Sequence, residues 1–364
     1  MSWPPLREEL EGLEPYGAPQ LDVPVQLNVN ENPYGPSPAV VADVATAVAQ
    51  VTSGLNRYPD REFVELRTAL AAYLGRDTPH GVAPEQVWAA NGSNEVMLQL
   101  LQAFGGPGRV ALSFAPTYSM YPEYARDTIT EWVQGHREDD FSLDLDRARD
   151  LVKERQPGVV LLPSPNNPTG TALPPEAVSV LCEAAGDGIV VVDEAYGEFR
   201  RSGTPSALEL LPRHRNLVVS RTMSKAFALA GARVGYLAAA PEICDAIRVV
   251  RLPYHLSAVT QAVALAALRH APELLGRVDE LRAERDATVA WLRGQGHRVA
   301  DSDANFALFG TFPDRHAVWQ GLVDRGVLIR EVGPEGWLRV SIGTPQEMDT
   351  FKKALVAVTE EGPT

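Results

Sequence analysis

Short apolar runs alternate with amphipathic stretches along most of this chain. "QVWAAN", "RVALSF", "GVVLLPS", "GIVVVDE" and "NLVVS" are each followed by polar residues, glycine or proline. Continuous apolar runs of this length suit strands covered on both faces, as in a parallel sheet. Between them lie helical patterns. In "SNEVMLQLLQAF", Val96, Met97, Leu100, Leu101 and Phe104 share one face, and "PEAVSVLCEAA" after Pro174 is a second helix candidate. The alternation predicts an α/β domain with a mostly parallel central sheet flanked by helices. The opening segment, through "NENPYGPSP", is rich in Pro, Gly and Asn and reads as an irregular arm. After about Gln261 the pattern changes. The charged helical stretch "ELLGRVDELRAERDATVAWLRGQG" leads into short strands at "NFALFG", "GVLIRE" and "WLRVSIG". These shifts predict an arm over 1–32, a large domain over 33–262 and a smaller α+β domain over 263–364.

Composition narrows the function classes. The 47 acidic residues against 33 basic give a formal net charge of -14, which would repel a phosphate backbone, so no nucleic-acid partner is expected. An anionic substrate would need specific arginines to bind it against that field. Cys182 and Cys244 fit no CxxC or zinc spacing, so no metal is expected and both read as buried thiols. The start has no basic region followed by an apolar core, and no apolar run has the length of a membrane span. The expected compartment is the cytoplasm, with no membrane partner.

Polar residues cluster just past the carboxyl ends of the predicted strands. "NGSNE" follows "QVWAA", "PTYSMY" follows "VALSF", "NNPTG" follows "VVLLPS", Asp193 ends "GIVVV", and "SRTMSK" follows "NLVV". Open α/β sheets bind ligands at that edge. Lys225 sits among Thr222, Met223, Ser224, Ala226, Phe227 and Ala228, with no local carboxylate. Such a lysine, near another cation, would have its neutral amine favoured, as a Schiff-base lysine requires. The competing reading is a solvated lysine in a strand-to-helix loop. Asp193 would be largely desolvated and would need a cationic partner or several donors, unless it simply caps a helix. Ser93 and Asn94, opening a helix, could cap it or present N–H groups to a phosphate.

"SPNNPTG", "VVDEAYGEF" and "SRTMSKAFALAGARVGY", in this order, resemble the aspartate aminotransferase superfamily of fold-type I pyridoxal-phosphate enzymes. With "NENPYGPSP", "RYPD", "GSNE", "PTYSMY", "LIREVG" and "LRVSIGT", the chain resembles most the histidinol-phosphate aminotransferase group within it, from about Tyr16 to Gly343. The resemblance implies pyridoxal 5'-phosphate bound covalently to Lys225, with Asp193 pairing the pyridine nitrogen. It implies Asn167 and Tyr196 at the phenolate oxygen and Tyr118 stacked on the ring. The phosphate would lie with Ser93, Asn94, Thr222, Ser224 and Arg233, joined by Tyr58 of a neighbouring subunit in a homodimer with shared active sites, and Glu95 would be a further cofactor-binding residue. Substrate anions would meet Arg339 and Arg330, with Tyr16 and Asn30 closing over them.

The implied reaction is transamination of L-histidinol phosphate with 2-oxoglutarate in L-histidine biosynthesis. An aromatic-amino-acid aminotransferase would carry nearly identical motifs, and a threonine-phosphate decarboxylase shares the fold and an arginine-rich phosphate site. A regulator built on the same domain would need an added DNA-binding region.

Overall fold

The computed structural model describes residues 5–361; the outermost residues of the predicted arm and small domain, 1–4 and 362–364, lie outside the described residues. The first strand, β1 (Val25–Gln26), belongs to the arm. Seven strands then build the large sheet. They are β2 (Val87–Ala90), β3 (Val110–Ala115), β4 (Glu131–His136), β5 (Val159–Pro163), β6 (Ile189–Asp193), β7 (Leu217–Thr222) and β8 (Gly235–Ala239). Their order across the sheet is β2-β8-β7-β6-β5-β3-β4. Only β8 runs against the rest, pairing antiparallel with both β2 and β7.

The apolar runs explain this arrangement. β5 and β6 are buried along their whole length because helices cover both faces, so Val159–Leu162 and Ile189–Val192 need no polar side. Two strands differ from the sequence pattern. β4 is an edge strand whose Glu131 and His136 face solvent, so it lacks a continuous apolar run. β8 is fully buried between two strands yet is built from glycine, alanine, one leucine and one tyrosine, residues chosen for close packing more than for strand propensity.

The smaller unit holds a three-stranded antiparallel sheet of β9 (Arg298–Val299), β10 (Phe306–Gly310) and β12 (Leu338–Ser341), while β11 (Val327–Leu328) pairs parallel with β1. Helices Val278–Gly294 and Pro345–Glu361 cover it; Leu281, Leu292, Phe306, Phe309, Leu338, Phe351 and Leu355 form its core. Val25 and Leu27 of the arm enter the same core. The arm is thus a strand of the smaller unit as well as a wall of the site.

The change of core falls later than the 262/263 boundary read from the pattern. Helix Ala258–Arg269 packs against helix Pro38–Thr52, and Ala264, Ala267, Ala271 and Leu274 belong to the large core. Beyond that helix, the buried residues from Val278 onward belong mainly to the second core, which Val25, Leu27, Tyr196, Phe199 and Ala226 also join. The apparent long charged helix is broken by a short 3-10 turn, Leu275–Arg277, at that junction.

Candidate active site

The carboxyl ends of β3, β5, β6 and β7, the end of β2 and the start of β8 open on one cavity of about 310 Å³, closed on its far side by the arm and by β12. Lys225, three residues past β7, projects into it and its Nζ donates to the Val29 carbonyl at 2.9 Å. Burial, then Arg339 and Arg233, push its pKa down to about 8, with Glu31 opposing them. At neutral pH a useful fraction of the amine is therefore uncharged.

Asp193 ends β6, where the pleat and the Pro163 and Ser220 neighbours leave its side chain in the cavity wall. It is 6% exposed, and burial raises its pKa to about 6 against the hydrogen bonds from Tyr121 and Ala195, with Glu194 adding to the rise. Glu194 itself is fixed by Arg221 at 2.8 Å and Arg200 at 2.9 Å. The two adjacent carboxylates thus have different roles: Glu194 is an ion-paired brace between β6 and β7, and Asp193 faces the cavity.

One end of the cavity is a cradle for an anion. Gly92 (φ +84°) turns the chain into helix Ser93–Phe104, whose first N–H groups have no intrahelical acceptor. Arg233, itself at φ +56°, brings a guanidinium against Gly92, close enough that a Cβ there would lie 2.5 Å from its Nη2. Its Nη1 lies 3.5 Å from Ser224 Oγ, and Thr222 Oγ1 accepts the Ser224 N–H at 3.1 Å. At Gly235 a Cβ would meet the Gly92–Ser93 peptide at 2.2 Å. Gly235→Ala is therefore expected to cost about 1–3 kcal/mol by overpacking against backbone, read as a lower denaturant midpoint at unchanged slope.

Glu95, expected to bind the cofactor, turns away from this cradle. Its carboxylate accepts from Asn91 N at 2.6 Å and Asn91 Nδ2 at 2.7 Å. One helical residue beyond Asn94 is enough to point a side chain off the cavity, so Glu95 clamps the turn and does not line the site.

The other end carries two guanidiniums. Arg330 and Arg339 face each other through paired backbone hydrogen bonds of 2.9 Å, which places their side chains side by side. Arg339 donates to Asn167 Oδ1 at 2.5 Å and to the Asn28 carbonyl at 2.8 Å. Burial, with Arg330 beside it, pushes its pKa down to about 10. Arg330 Nη2 donates to the Gly17 carbonyl at 3.2 Å. Arg339 Nε and Arg330 Nη1 are buried without a hydrogen-bond partner, and neither arginine has a carboxylate partner among the described residues. A buried guanidinium and a half-buried one, each with a sequestered unpartnered N–H and both lining a cavity, suit an anion there.

Tyr196, between the two ends, accepts from Asn30 Nδ2 at 2.9 Å and Asn167 Nδ2 at 3.4 Å. Tyr118 lines the wall, and Tyr16 bonds Ser119 Oγ at 2.8 Å across the mouth. Asn28, Glu31 and Tyr121 also serve the site and were not among the sequence candidates. Tyr121 carried a signal, the second tyrosine of "PTYSMY"; the other two depended on where the arm folds back. Tyr58 does not line this cavity. It is 80% exposed and stacks on Tyr254 with ring centroids 4.3 Å apart. Among the described residues no group of His, Cys, Asp and Glu could hold a metal ion, and no helix is long and apolar enough to cross a membrane.

A lysine of lowered pKa, a buried carboxylate and arginines at both ends line one cavity over the carboxyl edge of an α/β sheet, an arrangement that can hold an anionic small molecule beside an amine. Residues 23–355 match the family described as "Aminotransferase class I and II". A histidinol-phosphate aminotransferase of Thermobifida fusca is 63% identical over 98% of this chain and 95% of its own length. The one from Bifidobacterium longum is 58% identical over 97% and 96%. The solved histidinol-phosphate aminotransferase of Sinorhizobium meliloti, in complex with pyridoxal-5'-phosphate, is similar at TM-score 0.86 and 25% identity over 99% of both chains. This chain belongs to the class I and II aminotransferase family.

Proposed function

We propose that the chain holds pyridoxal 5'-phosphate at Lys225 and transfers the amino group of L-histidinol phosphate to 2-oxoglutarate. The products are imidazole-acetol phosphate and L-glutamate, and the step belongs to L-histidine biosynthesis. The observation that carries this reading is the pair of anion cups, with Lys225 and Asp193 between them in one cavity. The substrate comes from the name shared by relatives 57–63% identical over nearly the whole chain.

The residues fit the cofactor. The glycine-walled cradle, closed to any Cβ at Gly92 or Gly235, suits a phosphate against Ser93, Asn94, Ser224 and Arg233. Asp193 suits a protonated ring nitrogen, Tyr118 the ring face, and Asn167 with Tyr196 the ring hydroxyl. Pyridoxal phosphate supplies an aldehyde for amine exchange and a ring that accepts electrons from the substrate Cα. Lys225 Nζ carries the covalent attachment and moves the proton at Cα. Arg339 and Arg330 hold the substrate phosphate or the glutamate carboxylate, so one cup serves both halves of the cycle. Tyr16 and Asn30 orient the substrate and exclude water.

Arg330→Gln is expected to raise KM for L-histidinol phosphate about tenfold or more while kcat changes less, since it removes a charge-assisted contact to the substrate anion. Initial rates at varied substrate check this. Lys225 also sets a pH dependence. Its folded pKa, about 8, lies below the ordinary 10.5, so its charged form is disfavoured in the fold. The cofactor-free protein should gain stability as pH rises from 8 to 10.5, where the unfolded chain binds the extra proton. Its rate of bonding pyridoxal phosphate should rise with a midpoint near pH 8; a midpoint near 10.5 would mean a solvated lysine.

The reading includes a homodimer in which Tyr58 reaches the partner's cofactor phosphate. Its support is the exposure of Tyr58, stacked on Tyr254, together with exposed apolar side chains near each in sequence: Leu55, Val249 and Leu252. Sedimentation equilibrium is expected to give a dimer. A cytoplasmic setting fits the two buried free thiols, Cys182 and Cys244.

The functional test is glutamate formation from 2-oxoglutarate with L-histidinol phosphate or L-phenylalanine as donor. A higher kcat/KM for histidinol phosphate supports the assignment. A preference for phenylalanine moves the chain to the aromatic aminotransferases.

A further inference from the structure

Among the described residues, two groups hold the Asp193 carboxylate. Its Oδ1 accepts the Ala195 N–H at 3.2 Å, and its Oδ2 accepts the Tyr121 hydroxyl at 3.1 Å. An ionised carboxylate has about four acceptor positions, so lone pairs remain for a donor in the cavity that Asp193 lines. Tyr121 opens helix Tyr121–Asp127 and is 0% exposed, its ring meeting that of Tyr118 edge-on at 5.5 Å. Its single hydroxyl proton is committed to Asp193, and burial together with the Asp193 charge keeps that phenol protonated. Tyr124, on the same helix, is 4% exposed, but its hydroxyl has no hydrogen-bond partner among the described residues. The two buried phenols are chemically alike, yet only one touches the carboxylate.

The surroundings leave that contact as the adjustable one. Glu194, next along β6, has its charge met by Arg221 and Arg200. Tyr118, Tyr124 and Tyr196, the other titratable groups near Asp193 on the packed elements, are all held neutral by burial. Among the described residues, the cations at the cavity are Lys225, Arg233, Arg330 and Arg339, and none makes an ion pair with Asp193.

We propose that Tyr121 is a positioning residue: by donating to Asp193 it makes the carboxylate a weaker base, so a proton shared with a cofactor ring nitrogen stays on the nitrogen. This rests on reading the cavity as a pyridoxal phosphate site. A carboxylate stripped of the Tyr121 donor is more basic, and the shared proton moves from nitrogen to oxygen. The ring then loses the positive charge that makes it an electron acceptor, with no change in the contacts to phosphate or substrate.

The test is the nitrogen-15 resonance of ring-labelled pyridoxal phosphate bound to the wild type, Tyr121→Phe and Tyr124→Phe. The wild type and Tyr124→Phe are expected at the protonated-pyridine position. Tyr121→Phe is expected to move toward neutral pyridine, with kcat down about tenfold, the effect of one hydrogen bond to a charged group. An unmoved resonance in Tyr121→Phe, or an equal movement in Tyr124→Phe, would overturn the inference. A wild type that does not bind the labelled cofactor would overturn the reading of the cavity itself, and with it this inference, before any variant is examined. Should Tyr121→Phe not fold, 4-aminophenylalanine at position 121 keeps the ring and a weaker N–H donor. It is expected to move the resonance partway, and a wild-type resonance there would contradict the proposal.

Discussion

Lys225→Ala is expected to lower kcat by at least about 10⁴-fold, because in the proposed function it removes both the covalent attachment and the group that moves the Cα proton. The effect should not come from loss of fold. Lys225 makes one hydrogen bond, to the Val29 carbonyl, and no ion pair among the described residues. The phosphate cradle of Gly92, Ser93, Ser224 and Arg233 and the carboxylate of Asp193 remain in place without it. The variant should therefore still bind pyridoxal phosphate non-covalently, seen as a free-aldehyde absorbance that co-elutes with the protein. Turnover within about tenfold of the wild type would remove Lys225 from the chemistry.

Asp193→Asn is the second large effect, a loss in kcat of about 10²–10³-fold with little change in KM. A preorganised charge in a buried site supplies that much when the charge develops opposite it, and an amide cannot hold the ring nitrogen protonated. The sign of the accompanying stability change separates chemistry from folding. The folded pKa of Asp193, about 6, lies above its ordinary 3.8, so its contribution to the cofactor-free protein is fully present below pH 3.8 and lost as pH rises through 6. At pH 7 the ionised, buried carboxylate is a burden on the empty fold. The asparagine variant without cofactor should unfold no more easily than the wild type, while catalysis falls steeply. Thermal denaturation of both proteins, read beside kcat, distinguishes this from a general loss of structure.

Much of the fold was legible because the physics behind it is local. Val190–Val192 and Val159–Leu162 could be read as buried strands since nothing polar interrupts them, and the residues that follow had to lie at the ligand-binding edge. β4 and β8 were not legible. β4 is an edge strand whose outward residues break the apolar pattern, and β8 owes its place to two neighbours rather than to its own side chains. The change of core past Leu274 was not legible for a related reason. Helix Ala258–Arg269 is alanine-rich, and only its packing on Pro38–Thr52 shows which core it belongs to.

At the site, Lys225 and Asp193 could be singled out from local context, since a charge among small or apolar neighbours is unusual. Glu95 lies off the cavity, bonded to Asn91, because adjacency in sequence is not adjacency on a helix face. The Glu194–Arg221 pair had both members inside quoted motifs, yet only the β6–β7 register brings them together. Asn28 and Glu31 reach the cavity because β1 is pinned to β11, a pairing across most of the chain that no local pattern encodes.

The most direct test of the account is the absorbance of the cofactor-loaded protein on adding L-histidinol phosphate, without 2-oxoglutarate. The account predicts rapid conversion from the lysine-bound absorbance to that of the aminated cofactor, at concentrations where L-phenylalanine produces little change. A protein that acquires no lysine-bound absorbance with pyridoxal phosphate, or one that converts with phenylalanine but not with histidinol phosphate, would contradict it.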